Sequence, residues 1–133
     1  MGKITILVDW NGKNFAARPM NEDIACIATG KTLDELQSNM HEALELHTRG
    51  LVEDAEPVPV ELNGTISPEY LLTTRALLRW SENWITLKAL SQETGINQQQ
   101  LSHYANGWRH PRRDMHIKIA EGIRSIGKKL CAL

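Results

Sequence analysis

The hydrophobic period of this chain changes along its length, and the change limits the fold to an α+β arrangement. Near the start, Ile4, Ile6 and Val8 alternate with Lys3, Thr5 and Asp9, and Asn11-Gly12 follows, a pair that tolerates the positive φ of a type I′ turn. This spacing predicts a β-hairpin whose return strand covers 13–18, with Phe15 and Ala17 on one face and Pro19 as its end. A third strand is expected from Ile24 to Ala28, stopped by Gly30. From Thr32 onward the period is near 3.6. Thr32 and Glu35 form a Thr-x-x-Glu capping box, Asp34 adds a favourable charge at the positive helix end, and Leu33, Leu36, Met40, Ala43, Leu44 and His47 make one stripe. Gly50 is the expected stop.

Residues 55–64 hold two prolines and end in Asn63-Gly64, so they read as an extended linker or an edge strand, and the domain boundary is expected near residue 66. That divides the chain into a β-β-β-α(-β) module over 1–65 and an all-α module over 66–133. Ser67-Pro68-Glu69 is a helix-start pattern for a helix reaching about Asn83, in which Leu77, Leu78, Trp80 and Trp84 are expected core residues, unless one tryptophan packs a dimer interface. A second helix starts at Thr86 and closes at Gly95, and a third runs from Asn97 to Ala105. Leu87, Leu90, Ile96, Leu101 and Tyr104 can then share one small core, with Gly95 in a left-handed turn. Beyond Pro111, Met115, Ile119, Ala120, Ile123 and Ile126 mark a fourth helix. The apolar end, Leu130 to Leu133, is expected as a short strand.

Charge separates along the same division. Residues 1–67 carry five basic and eleven acidic side chains, whereas 68–133 carry ten basic and five acidic, inside a total of only −1. A basic module joined to an acidic one points to a polyphosphate partner for the second. Cys26 and Cys131 lie far apart in apolar surroundings, which fits buried, reduced thiols and a cytoplasmic address better than a secreted disulfide framework. The start Met-Gly-Lys-Ile-Thr leads into a strand pattern and not a signal peptide, and no apolar run approaches a membrane span. The five His and two Cys show no metal-ligand spacing, and no phosphate loop, serine elbow or paired-acid motif appears, so neither a cofactor nor enzymatic activity is expected.

Two stretches resemble known families. The run from Cys26 to Leu36, followed by Met40-His41-Glu42-Ala43-Leu44-Glu45-Leu46-His47, is similar to the HicB antitoxins over about residues 3–63, although Ile24-Ala25 stands where that family often has Pro-Gly. The resemblance implies a shrunken relative of the ribonuclease H fold that neutralises a HicA-type mRNA interferase toxin. Ribonuclease H chemistry needs converging carboxylates on two metal ions, and the strands offer only Asp9 and Asp23, read as surface acids. Asp34, Glu35, Glu42 and Glu45 read as a solvated helix face; only the resemblance makes them a toxin-docking surface.

Residues 86–123 resemble the helix-turn-helix of Xre/Cro repressors through Gly95-Ile96, Leu101-Ser102, Asn106-Gly107, Pro111 and Lys118-Ile119-Ala120, while Leu87 and Ser91 stand where Gln and Ala are common. The resemblance implies that the third helix enters the major groove. Gln98, Gln99, Ser102 and His103 would face base edges, with Thr86 and Asn97 at the helix starts and Asn106, Arg109, Arg112 and Arg113 beside the backbone. Asn97 and Gln100 also form an Asn-x-x-Gln capping pattern, and capping is the expected duty of Gln100.

Together these imply a HicB-like antitoxin that binds its toxin and represses its own operon on double-stranded operator DNA as a homodimer or higher symmetric oligomer. The alternatives are a stand-alone regulator whose first module oligomerises or senses a ligand, and a residual nuclease.

Overall fold

The structure is a computed structural model describing residues 2–133, a mixed α+β chain of two compact units, 1–73 and 74–133. The first unit has four strands, β1 (Gly2–Trp10), β2 (Phe15–Pro19), β3 (Ala28–Gly30) and β4 (Ile66–Leu72), in the sheet order β3-β2-β1-β4. β1 pairs antiparallel with β2 and parallel with β4. One long helix, α1 (Leu33–Glu53), and a 3-10 turn at Val60–Leu62 complete it.

Alternation in β1 sends Ile4, Ile6 and Val8 inward, where they are fully buried with Leu36, Met40 and Leu44 of α1 and with Phe15 and Ala17 of β2. Trp10 closes one end edge-on against Phe15, with ring centroids 5.0 Å apart. Thr32 caps α1 by accepting from the Glu35 amide at 3.1 Å. Gly30 supplies the close approach behind it: a Cβ there would lie 2.5 Å from the Leu36 backbone nitrogen.

Several local expectations give way to longer-range pairing. The hairpin loop spans 11–14, not two residues, because the Asn11 carboxamide accepts from the Lys13 and Asn14 amides at 3.0 and 2.8 Å. Of the strand expected over Ile24 to Ala28 only Ala28 pairs with β2; the observed strand continues through Thr29 to Gly30, the expected stop, and Ile24 and Cys26 are buried in the loop before it. Burial raises the Cys26 thiol above its usual range. α1 continues through Gly50 to Glu53. The Ser67-Pro68-Glu69 pattern starts no helix, because Ile66–Leu72 pairs along β1 from Gly2↔Ile66 to Val8↔Leu72. As the sheet's edge strand, β4 tolerates Pro68, whose ring has no N–H to give. The first unit therefore extends to Thr73 and not to residue 65.

The second unit is all-helical: α2 (Thr74–Ser81), α3 (Leu87–Thr94), α4 (Gln98–Ala105) and α5 (Arg113–Cys131). Leu78, Leu90, Ile96, Leu101, Tyr104 and Ile119 form its core, with Leu77, Leu87, Met115, Ile123 and Ile126 packed around them. Gly122 lets α5 cross α3 closely, since a Cβ at that position would lie 2.4 Å from the Thr94 methyl. Glu93 pins the same crossing, accepting from Ser125 at 2.7 Å and Lys129 at 2.8 Å, and these bonds hold its carboxyl below the usual carboxylate range.

Trp84 is not a core residue: it is 68% exposed, stacked edge-on at 5.1 Å against a half-buried Trp80. Cys131 is exposed, and 130–131 continue α5 instead of forming a strand, since Ala132 still donates to the Lys128 carbonyl.

Two glycines of α5 separate packing from propensity. Gly122→Val is expected to destabilise the second unit by about 1–3 kcal/mol through overpacking against Thr94 and Leu90. Gly127→Ala meets nothing within 4 Å and is expected to stabilise by about 0.5–1 kcal/mol. Thermal unfolding of the two variants checks both signs.

Candidate nucleic-acid interface

The second unit, 74–133, carries ten basic and four acidic side chains, since Glu69 lies on β4 of the first. Its geometry turns on Gly95, which sits at φ 77°, ψ 4° and donates to the Ser91 carbonyl at 2.8 Å, ending α3 in the left-handed region. The Thr94 hydroxyl donates to the Leu90 carbonyl at 2.7 Å and accepts from the Ile96 amide at 3.2 Å, and Ser91 donates to the Ile96 carbonyl. The turn's polar groups are thereby matched while Ile96 goes into the core.

α4 follows at once. Asn97 caps it by accepting from the Gln99 amide at 2.8 Å, and Thr86 caps α3 by accepting from the Ala89 amide at 3.0 Å. Thr86 and Asn97, both expected at the interface, thus each have a local bond that occupies the side-chain oxygen. Leu101 and Tyr104 point into the core, so Gln98, Gln99, Ser102 and Asn106 fall on the opposite, solvent side. Gln98 and Gln99 are exposed and Ser102 and His103 are half-buried. The Asn106 carboxamide donates to the Ser102 carbonyl at 2.9 Å, which ties the C-cap to the helix. Gln100 does not cap: its Nε2 and the Tyr104 hydroxyl lie 2.6 Å apart, bracing the core side of the helix one turn on.

The loop after α4 extends this surface. Gly107 takes φ 75°, and Trp108 and Arg109 both donate to the His103 carbonyl, at 2.9 and 3.4 Å. Trp108 is 72% exposed and leans on the His103 ring at 5.5 Å between centroids. Arg109, Arg112 and Arg113 are exposed, Arg112 at the N-cap of α5 and Arg113 in its first turn, where the helix dipole gives a cation no support. None of the three takes part in a salt bridge among the described residues. Every residue expected at the interface lies in this one unit; those from 97 to 112 lie in α4, its N-cap and the loop that follows it, and Arg113 opens α5. Trp108 and His110, which the sequence places in one loop with these arginines, are both exposed.

Behind this surface Thr74 and His116 join α2 to α5, the hydroxyl 2.6 Å from Nδ1. Burial, then the Arg124 charge, lowers the His116 pKa. In the first unit Asp9 accepts from Thr73 Oγ1 at 2.6 Å and from the Trp10 amide at 2.8 Å, while Asp23 lies exposed in the loop before β3. Among the described residues no group of three or more His, Cys, Asp or Glu is placed to hold a metal ion, and no helix is long and apolar enough to cross a membrane. The chain matches no protein-family model and no curated protein sequence.

Because the fold favours neutral His116, the unfolded chain takes up its proton first on acidification. The stability tied to this group is present above the usual histidine range and is lost as pH falls through that range to the lowered value. The unfolding midpoint of the second unit is expected to drop over this window, and His116→Gln is expected to flatten the drop; thermal scans across pH check it.

Proposed function

We propose that the chain is a HicB-like antitoxin whose second unit is an Xre-type helix-turn-helix. That unit binds operator DNA through α4, and the first, acidic unit covers a small basic ribonuclease toxin. The observation that carries the reading is the pairing of α3 and α4 across a left-handed Gly95, which leaves Gln98 and Gln99 exposed at the start of a helix whose other face is buried. Glutamine suits this position because its carboxamide can both accept from adenine N6 and donate to N7. The surrounding arginines would supply sequence-independent attraction. Recognition of palindromic half-sites would require a homodimer or a higher symmetric oligomer.

The two units differ in charge as this division of labour requires. Counting to the boundary at Thr73, the first carries five basic and twelve acidic side chains. On α1, Asp34, Glu35, Glu42 and Glu45 are all exposed, a surface that would meet a basic toxin without desolvating an unpaired charge. The protein acts by binding, in the cytoplasm, without catalysis or cofactor.

One observation favours a second reading, a stand-alone regulator with a ligand-sensing first unit. The sheet face away from α1 holds an open groove of about 430 Å³ with Leu7, Ala16, Ile27 and Leu71 in its lining and Asp9 and Arg18 among them. Ile27 is 76% exposed there. Co-expression separates the readings: an antitoxin rescues cells from a small ribonuclease encoded beside it, and a regulator does not.

For the DNA contact, Gln98→Ala with Gln99→Ala is expected to abolish preference for the operator, since a bidentate contact contributes about 1–3 kcal/mol of discrimination per base. Arg112→Ala is expected to weaken binding to every duplex alike. Footprinting on the chain's own promoter checks the first and titration at several salt concentrations the second; a wild-type footprint from the double variant would misplace the reading helix.

A further inference from the structure

Arg75 carries the one buried side-chain nitrogen or oxygen among the described residues that has no hydrogen-bond partner. It occupies the first turn of α2, where the helix dipole disfavours a cation. Its Nε is buried without a hydrogen-bond partner, and the side chain joins no salt bridge among the described residues. A desolvated guanidinium N–H left unmatched opposes folding.

What holds the group in place is the turn after α4. The guanidinium lies flat against the Cα of Gly107: a Cβ there would be 2.9 Å from Cζ and 3.0 Å from Nε and Nη1. Gly107 is therefore constrained twice, by its φ of 75° and by the side chain seated on it. The next residues are the exposed Trp108, Arg109 and His110. Among the described residues no carboxylate lies within 4.0 Å of its nitrogens, while the neighbouring Thr74 is bonded to His116. A cation packed on the turn after α4, with an unmatched Nε and no salt bridge among the described residues, is an incomplete pair.

We propose that Arg75 is a DNA-backbone contact, its guanidinium taking a phosphate of the strand that runs beside α4. The inference rests on the DNA-binding reading of the second unit and adds to it a phosphate ligand from α2, outside the α4 to α5 segment. Guanidinium suits this duty because its planar donors pair with phosphate oxygens bidentately, and because packing on Gly107 has already restricted its rotamers.

The test is titration of the full chain with a mixed-sequence DNA duplex at a series of salt concentrations. Arg75→Gln is expected to bind about tenfold more weakly at low salt and to lower the slope of log K against log salt by about 0.9. The loss is the same for every duplex sequence. Arg75→Lys, which keeps the charge but not the planar stacking, recovers most of the slope, whereas a purely structural role would leave both variants equally impaired. The thermal midpoint of Arg75→Gln is expected at or above wild type, because the unmatched Nε is gone.

An unchanged slope in Arg75→Gln, with wild type binding the duplex, overturns this inference alone. A wild-type chain that binds no duplex at low salt overturns the DNA reading and this contact with it. Inorganic phosphate that binds wild type but not Arg75→Gln, while the duplex slope is unaffected, assigns the seat to a free anion and also overturns the proposal.

Discussion

The rotation of α4 about its own axis is set by Leu101 and Tyr104, and the account of this protein depends on that setting. Both are buried among Leu78, Leu90, Ile96 and Ile119, and removing a buried leucine of this kind costs about 2–5 kcal/mol. With those two positions facing inward, helical periodicity leaves Gln98, Gln99, Ser102 and Asn106 on the outer side. A turn of the helix by one residue would bury carboxamides and expose the leucine. The polar face is thus held by a hydrophobic anchor, and the Gln100 contact with the Tyr104 hydroxyl adds a second brace.

The remainder of the second unit fixes where α4 starts. Gly95 in the left-handed region ends α3 and Asn97 caps the next helix two residues later, so the connection has little freedom to lengthen or swing. α5 closes the unit from behind through Gly122 on Thr94 and through Glu93 with Ser125 and Lys129. Rigidity of this kind suits recognition, since a positioned side chain loses less entropy on contact than a mobile one. The costs appear at the surface, in an exposed Trp108 and in arginines at the start of α5 that join no salt bridge among the described residues.

Features written in adjacent residues were legible in the sequence: the Thr32 and Thr86 caps, the α1 stripe, the Gly95 turn and the α5 periodicity all occur where the residues predict them. Features decided by distant partners were not. Ser67-Pro68-Glu69 carries a local helix-start pattern, but its segment pairs with β1 some sixty residues earlier in the chain, and the ladder and the packing it permits outweigh a cap. Gly50 fails to stop α1 because glycine inside a helix costs only about 1 kcal/mol, less than tertiary packing can supply. Of the candidate site, the positions on α4 follow from periodicity. The seating of Arg75 on Gly107 joins residues of different helices, and nothing in either local sequence announces it.

The central claim is that α4 and the loop after it meet DNA while the first unit does not. Backbone amide shifts of the full chain, followed by NMR during titration with its own promoter duplex, test this directly. The account predicts the largest changes from Gln98 to Arg113, with smaller ones at Arg75 and Thr86 and none across β1 to β3. Changes concentrated in the first unit, or none in α4 at saturating DNA, would contradict it.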